Sequence, residues 1–338
     1  MKVGLICNLA NGEVGGQTAK TNRIIDYLGK KFDLEIYDVF PAKKNLLKIM
    51  VDSIGVYRKT DKLVIILNTN GSMVVLTGLR IARLFAKKPI YEVAVGGTRQ
   101  KKVETSRYFK GLEKMMTKIF VETSYMASEF HRMGLPQTEV LDNCKEMKPE
   151  GFVTPLPFNG TLRMCTFARV TEDKGIDTAM EIAKALDAKG RKVALDILGP
   201  VDPSYEEEFR ALLGSCPKDV VEFKGVVDSQ KTVETLNNYH ILLFPTRHKE
   251  GFPGAFIDAM EAGLTIISSY LDNFVDIIRN DENGYLLKDA TKDEYVKLIE
   301  GLIENPSELE RLRMTALKYS RKYSNEVALA NLEKYLRE

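Results

Sequence analysis

The sequence predicts an α/β protein of two doubly wound domains, and three observations carry that reading. Short apolar runs rich in β-branched residues alternate with amphipathic helical patterns almost throughout, the rhythm of βαβ units and parallel sheets. At 338 residues the chain is too long for one ordinary core and suits two domains of roughly 100–200 residues. The rhythm breaks once, from Lys145 to Gly160, where Pro149, Pro155 and Pro157 join Gly151 and Gly160. Prolines at that density prevent regular strand pairing and mark a linker.

In the first half, strands are expected at KVGLICN, LEIYDVF, KLVIILN, PIYEVAV and KIFVETS, with helices such as TNRIIDYLGKKF and MVVLTGLRIARLFAKK between them. The second half restarts with the strand LRMCTFARV and the helix GIDTAMEIAKALDAKG. KVALDILGP, the helix SYEEEFRALLGS and the strand VVEFKGV come next. HILLFPT, a helix after Gly254 and LTIISS follow. Residues 291–338 read as helical, with ENPSELERL opening on Ser307 as a cap. The expected division is 1–150 for the first domain and 151–320 for the second, with a helix at 321–338 packing back towards the first. Two such halves on a proline-rich hinge would face one cleft, where a ligand touches the carboxyl ends of both sheets.

Composition narrows the classes. With 44% hydrophobic and 28% charged residues the chain is neither disordered, collagenous nor a coiled coil. No run approaches the ~18 apolar residues of a membrane span. The opening MKVGLICNLANGE has one Lys and a short apolar run, so it reads as a first core strand and the chain is expected in the cytoplasm. Cys7, Cys144, Cys165 and Cys216 are far apart with no Cys-x-x-Cys, which argues for reduced thiols and against a disulfide scaffold or a zinc site. The net charge of +2 hides an asymmetry: residues 1–155 hold 25 Lys and Arg against 16 Asp and Glu, and the remainder 24 against 31. Either only the first half faces a polyanion, or the two surfaces merely differ in sign.

Several signals fail. The loop NGEVGGQTAKT follows the first strand but lacks the Gly-Lys-Ser/Thr of a P-loop. Its Gly12, Gly15 and Gly16 do not make G-x-G-x-x-G, and no acidic residue clearly ends the second strand as a dinucleotide site would need. What survives is a turn whose amides at Gly15 and Gly16 can approach an anion where a helix begins. There is no His-Glu-x-x-His and no pair of aspartates two apart, so a metal site has no obvious home. Of the three histidines, His131 reads as surface and His240 as core; His248 stands apart from both.

The informative segment is FPTRHKEGFPGAFIDAMEAGLTIISS, residues 244–269. A buried strand ends at Phe244, a tight loop carries Glu250, Gly251, Phe252 and Pro253, and a helix begins near Gly254. Its first amides lack intrahelical partners and its dipole favours an anion there. Pro253 fits at that start, where a missing N–H costs nothing. Glu250 and Asp258, about one helical turn in, can each accept hydrogen bonds from neighbouring hydroxyls. Two carboxylates flanking a phosphate-sized positive hole suit a nucleotide sugar. The second cluster is FARVTEDKG, residues 167–175, where Arg169 and Lys174 could neutralise a diphosphate leaving group.

With these residues in view, 161–290 resembles the nucleotide-sugar half of glycosyltransferase family 4, of the GT-B fold. The shared pattern is Arg169 and Lys174 five apart before a helix, a strand ending in Gly as in DILGP, a second in VEFKGVV, and Glu-Gly-Phe with Asp258 eight positions after Glu250. GGQTAKT and the Gly96-Gly97 turn resemble bacterial surface-polysaccharide members. The resemblance implies that Arg169 and Lys174 hold the diphosphate of a UDP-sugar and that Glu250 with the Gly251–Gly254 amides holds the sugar. It also implies that Asp258 reaches the ribose, where Glu is usual, that Val226 contacts the base, and that Gly15, Gly16 and Gly97 line the substrate side. It implies transfer with retention, without a metal or other cofactor, to a saccharide acceptor; that the acceptor is lipid-linked, at the inner face of the plasma membrane, is the expectation raised by the basic first half. Competing readings are a UDP-sugar epimerase of the same architecture and a non-catalytic nucleotide-sugar-binding partner of another transferase. Nucleic-acid binding lacks any recognition module.

The stretch VLTGLRIARLFAKK sets Leu76, Leu79, Ile81, Leu84 and Phe85 among Arg80, Arg83, Lys87 and Lys88, and RQKKVETSRYFKGLEKMMTK adds further basic and aromatic residues. Such a surface suits peripheral contact with anionic lipid. The alternative is that the apolar stripe is core and the cations are solvated.

Overall fold

A computed structural model describes residues 1–9, 16–42, 45–95, 99–147 and 154–338. The chain divides into two units, Met1–Met147 with Tyr323–Glu338, and Lys148–Lys322. The first holds β1 (Lys2–Cys7), α1 (Gly16–Gly29), β2 (Asp33–Asp38), α2 (Leu46–Lys59), β3 (Lys62–Ile66), α3 (Thr69–Ala82), β4 (Ile90–Val93), α4 (Arg99–Thr105), α5 (Arg107–Glu113), β5 (Lys118–Val121), α6 (Ser124–Arg132) and β6 (Thr138–Val140). The second holds β7 (Leu162–Phe167), α7 (Ile176–Ala188), β8 (Val193–Leu198), α8 (Glu206–Gly214), β9 (Val221–Gly225), α9 (Thr232–Leu236), β10 (Ile241–Phe244), α10 (Gly254–Glu261), β11 (Thr265–Ser269), β12 (Gly284–Leu287), α11 (Lys292–Glu304) and α12 (Pro306–Ser320). The chain then returns to the first unit as α13 (Asn325–Ala328) and α14 (Ala330–Arg337).

Each unit is built on a parallel six-stranded sheet, ordered β2-β1-β3-β4-β5-β6 and β12-β11-β10-β7-β8-β9. Strand order reverses between β1 and β3 in the first and between β7 and β10 in the second. In open α/β sheets ligands bind outside the carboxyl ends of the strands at such a switch point. In the second unit, the loops there are those carrying Arg169 and Lys174 after β7 and Glu250 after β10. The central strands are nearly all core: Leu242, Leu243, Ile266 and Ile267 are wholly buried, as parallel strands covered by helices on both faces must be.

Three expectations about element ends change. The helix around residues 73–88 stops at Ala82, and Leu84 and Phe85 lie in the turn beyond it. α12 is capped by Asn305, whose side chain accepts from the Glu308 amide, with Pro306 at the first helical position. Ser307 lies inside that helix. The proline's absent N–H makes this the register of least cost. Asp38 does end β2, but its carboxylate accepts from the amides of Leu9 and Phe40, both at 3.0 Å, so it ties down the loop after β1.

Both units bury ionisable groups, and those of the first carry no local sign. In the first, Arg99 forms ion pairs with Glu92 at 2.6 Å and Glu113 at 2.7 Å, all three side chains fully buried. The same guanidinium donates to the carbonyl of Leu67 at 3.0 Å and to the hydroxyl of Ser72 at 2.8 Å. Burial, with Glu92 close by, pushes the Glu113 carboxyl well above its usual range. α14 closes this unit through Tyr335, whose hydroxyl donates to Glu139 at 2.6 Å and whose ring lies 6.0 Å from that of Phe120.

In the second unit His240 is core. Its Nδ1 accepts from the Arg163 amide at 3.0 Å, which requires a neutral ring. Burial, reinforced by Arg313, pushes it down to about 4. The unfolded chain binds a proton at this side chain near pH 6.5, which the folded chain takes up only near 4. Stability from His240 is therefore full above about pH 6.5 and drains away as pH falls towards 4, by about 3 kcal/mol. His240→Asn should show a shallower loss than the parent in chemical denaturation between pH 7 and pH 4.5; parallel curves would exclude a neutral buried ring.

Candidate active site

The candidate site is assembled by the loops after β7 and β10, which touch backbone to backbone. The Arg247 amide donates to the Asp173 carbonyl at 2.8 Å, and the Thr246 hydroxyl to the same oxygen at 3.2 Å. The Arg247 guanidinium then spans to the start of α7, reaching Asp177 Oδ2 and Thr178 Oγ1, both at 2.6 Å. Gly175 makes this approach possible. Its φ is +66°, and a Cβ there would stand 2.0 Å from the Pro245 carbonyl oxygen. Gly199, with φ +138° and a Cβ position 1.9 Å from the Ala168 carbonyl oxygen, does the same between the ends of β7 and β8.

Gly175→Ala therefore meets both left-handed strain and a backbone clash, and should cost more than ~2 kcal/mol in the second unit. The expected signature is a lower second-unit melting transition with the first unit's transition unmoved. An unchanged melting profile would mean that the two loops are not held together as described.

On this frame Lys174 and Glu250 form a half-buried ion pair. The Lys174 ammonium also lies 5.6 Å from the centre of the Phe244 ring at the end of β10. Asn273 fixes the Glu250 backbone, donating to its carbonyl at 2.6 Å. The segment is floored by Phe244, Phe256 and Phe274, with ring centres 4.9 to 6.3 Å apart in edge-to-face contact. Phe252 is buried, and Pro253, with φ −65° and ψ 124°, is the residue before the helix, which starts at Gly254. Asp258 is buried in the second turn of α10.

The residues singled out by sequence thus divide. Lys174 and Glu250 are brought together. Arg169 is largely exposed and is directed to Asp202, at 3.7 Å, whose carboxyl is held below its usual range chiefly by the Ser204 hydroxyl and amide. Val226 is exposed just past β9. Gly16 opens α1, and a Cβ there would meet no protein atom within 4 Å. Gly15 and Gly97 lie outside the described residues. Arg247 and Asn273 were missed as site residues. Arg247 stands inside the segment that drew attention, but its partners lie some 70 residues back. Nothing in the spacing of Asn273 points to Glu250. Among the described residues, no three His, Cys, Asp or Glu gather so as to hold a metal ion.

Residues 154–319 match the family described as glycosyl transferases group 1. The capsular polysaccharide biosynthesis glycosyltransferase CapM of Staphylococcus aureus is 24% identical over 344 residues, spanning 90% of this chain and 85% of its own. The amylovoran biosynthesis glycosyltransferase AmsK of Erwinia amylovora is 24% identical over 213 residues, 60% of this chain and 52% of its own. Among solved structures, Anabaena HepE in complex with UDP superposes with a TM-score of 0.75 at 14% identity, over 100% of both chains. The lipopolysaccharide outer core galactosyltransferase WaaB, in its apo form, does so with a TM-score of 0.75 at 15% identity, over 99% of both chains. At such identities the structural likeness shows the fold, which is GT-B. Over residues 154–319 the second unit is thus similar to the glycosyl transferases group 1 family, in a chain of the GT-B fold.

Proposed function

We propose that the protein is a glycosyltransferase of bacterial surface-polysaccharide assembly, moving a sugar from a UDP-sugar to a lipid-linked saccharide with retention of anomeric configuration. The observation that carries this reading is the Lys174–Glu250 pair at the switch point of the second sheet, in the unit matched to the family. The polysaccharide setting is supported by CapM and AmsK, and the UDP donor by the HepE complex.

In this reading Lys174 and Arg169 face the diphosphate, and Glu250 with the Gly251–Gly254 segment grips the donor sugar. Asp258 serves the ribose and Val226 the base, while Gly15, Gly16 and Gly97 belong to the substrate side of the first unit. The bond from the anomeric carbon to the diphosphate oxygen breaks as the acceptor hydroxyl attacks from the same face. The hydroxyl proton passes to a donor phosphate oxygen, and UDP leaves with the bonding electron pair. Lys174, the Arg169 guanidinium and the start of α10 stabilise the charge that develops on UDP, with no metal taking part. His131, exposed on α6 and contacting the Thr138 carbonyl at 2.8 Å, is given no role.

Thermal stabilisation by UDP, GDP, ADP and a panel of UDP-sugars, all with EDTA, tests the reading. A ligand at ~100 times its dissociation constant adds about 2.7 kcal/mol, readily seen as a shifted transition. Selective stabilisation by UDP is expected, with a larger effect of one UDP-sugar naming the donor. Stabilisation by none of them would overturn the donor site.

A further inference from the structure

The first unit carries an apolar ridge that neither core nor donor site uses. α2 and α3 pack so closely that a Cβ at Gly78 would lie 3.1 Å from the Cβ of Met50. On their outer surface Leu47, Val51 and Ile81 are exposed. Beyond α3 the chain turns at Leu84 and Phe85, which are 80% and 87% exposed. The expected stripe is thereby split, because Leu76 and Leu79 are wholly buried against the sheet. A groove of about 600 Å³ runs beside the turn, lined by Ile54, Tyr57, Ile81 and Phe85 among others.

The turn is braced from beneath. The amides of Leu84 and Phe85 donate to Ile81 and Ala82 at 3.1 Å. The Tyr57 hydroxyl donates to the Ala86 carbonyl at 2.9 Å and accepts from the Lys88 amide at 2.8 Å. The Lys88 ammonium caps the end of α2 through the carbonyls of Tyr57, Arg58 and Thr60. Arg83 is likewise engaged, with the Met115 carbonyl at 2.7 Å. A backbone fixed this way holds two large apolar side chains in water at a standing cost, the mark of an interaction surface.

The charge around the ridge is one-sided. Residues 45–59 and 69–88 hold seven Lys or Arg against Asp52 alone, and Asp52 is paired with Lys48 at 3.0 Å. Arg58, Arg80 and Lys87 are exposed beside the apolar tip. We propose that this ridge docks on a bilayer of anionic phospholipid, with Leu84 and Phe85 entering the boundary between headgroups and acyl chains. Arg58, Arg80 and Lys87 would face the lipid phosphates. A second copy of the chain fits poorly, because a two-fold contact would set the same cations against one another. The purpose of the contact rests on the lipid-linked-acceptor reading; the contact itself does not.

The test is co-sedimentation of the full chain with vesicles of phosphatidylcholine alone and of phosphatidylcholine with an equal part of phosphatidylglycerol. Selective, salt-sensitive binding to the anionic vesicles is expected. Leu84→Ser with Phe85→Ser should weaken it by about tenfold or more, and Arg80→Glu with Lys87→Glu should remove the preference for anionic lipid. All variants should keep cooperative thermal unfolding, since the replaced side chains are exposed. Failure of the parent chain to bind anionic vesicles would overturn the proposal, as would undiminished binding by the serine variant. So would a parent dimer, indifferent to vesicles, that the serine variant makes monomeric. Stabilisation by UDP is measured separately, so loss of the donor site and loss of the membrane surface are told apart.

Discussion

Exchanging Glu250 for Gln should lower sugar transfer by about 10²–10³-fold while leaving stabilisation by UDP in place. Gln keeps the volume and the loop, because Asn273 binds the backbone carbonyl of residue 250. What it loses is the charge that orients Lys174 and that, in the proposed reading, grips sugar hydroxyls more tightly as charge moves in the reaction. The pair is half-buried, so its removal should change global stability by no more than about 1 kcal/mol. The discriminating comparison is UDP against UDP-sugar. The variant should be stabilised by both alike, with the extra effect of the sugar gone. Full turnover by this variant would sink the assignment of Glu250 and, with it, the reading of the switch-point loops as a transfer site.

Arg99→Met should be the most damaging single change to the fold. It strands Glu92 in the core without its cation, and breaking a buried ion pair costs about 3–5 kcal/mol. At that cost the first unit's melting transition should fall by roughly 10 °C. Glu113→Gln should behave oppositely. The folded protein keeps a proton on Glu113 that the unfolded chain gives up above about pH 4.3, so this group lowers stability as pH rises through that point. Gln abolishes that dependence and keeps the shape, so at pH 7 it should be neutral or mildly stabilising. If Glu113→Gln proved as costly as Arg99→Met, Glu113 would not be the protonated member of the cluster.

How much of this was legible in advance differs between fold and site. The βαβ rhythm revealed most strands because parallel strands buried on both faces must be nearly continuous apolar runs, as in HILLFPT and LTIISS. The short β6 and β12, at three and four residues, carried too little pattern to stand out. α2 went unremarked because Leu46, Leu47 and Val51 stay on its surface among polar residues, and α4 and α5 because seven residues apiece carry little period. In the site, Glu250 and Lys174 were legible because a helix start after a buried strand is a local signal. Arg247, Asn273 and Gly175 were not, since their partners depend on which loops the strand order brings side by side.

The sequence by itself determined the class of fold, the two parallel sheets and the residue types fit to meet an anion, because periodicity, turn chemistry and helix starts are properties of neighbouring residues. Tertiary structure alone decided that Lys174 meets Glu250 and that Arg99 lies between two buried carboxylates. It alone decided that one apolar stripe divides into core at Leu76 and Leu79 and exposed tip at Leu84 and Phe85. Each of these depends on burial and on contacts far apart along the chain, and no local pattern encodes how far a helix runs before the packing beneath it ends.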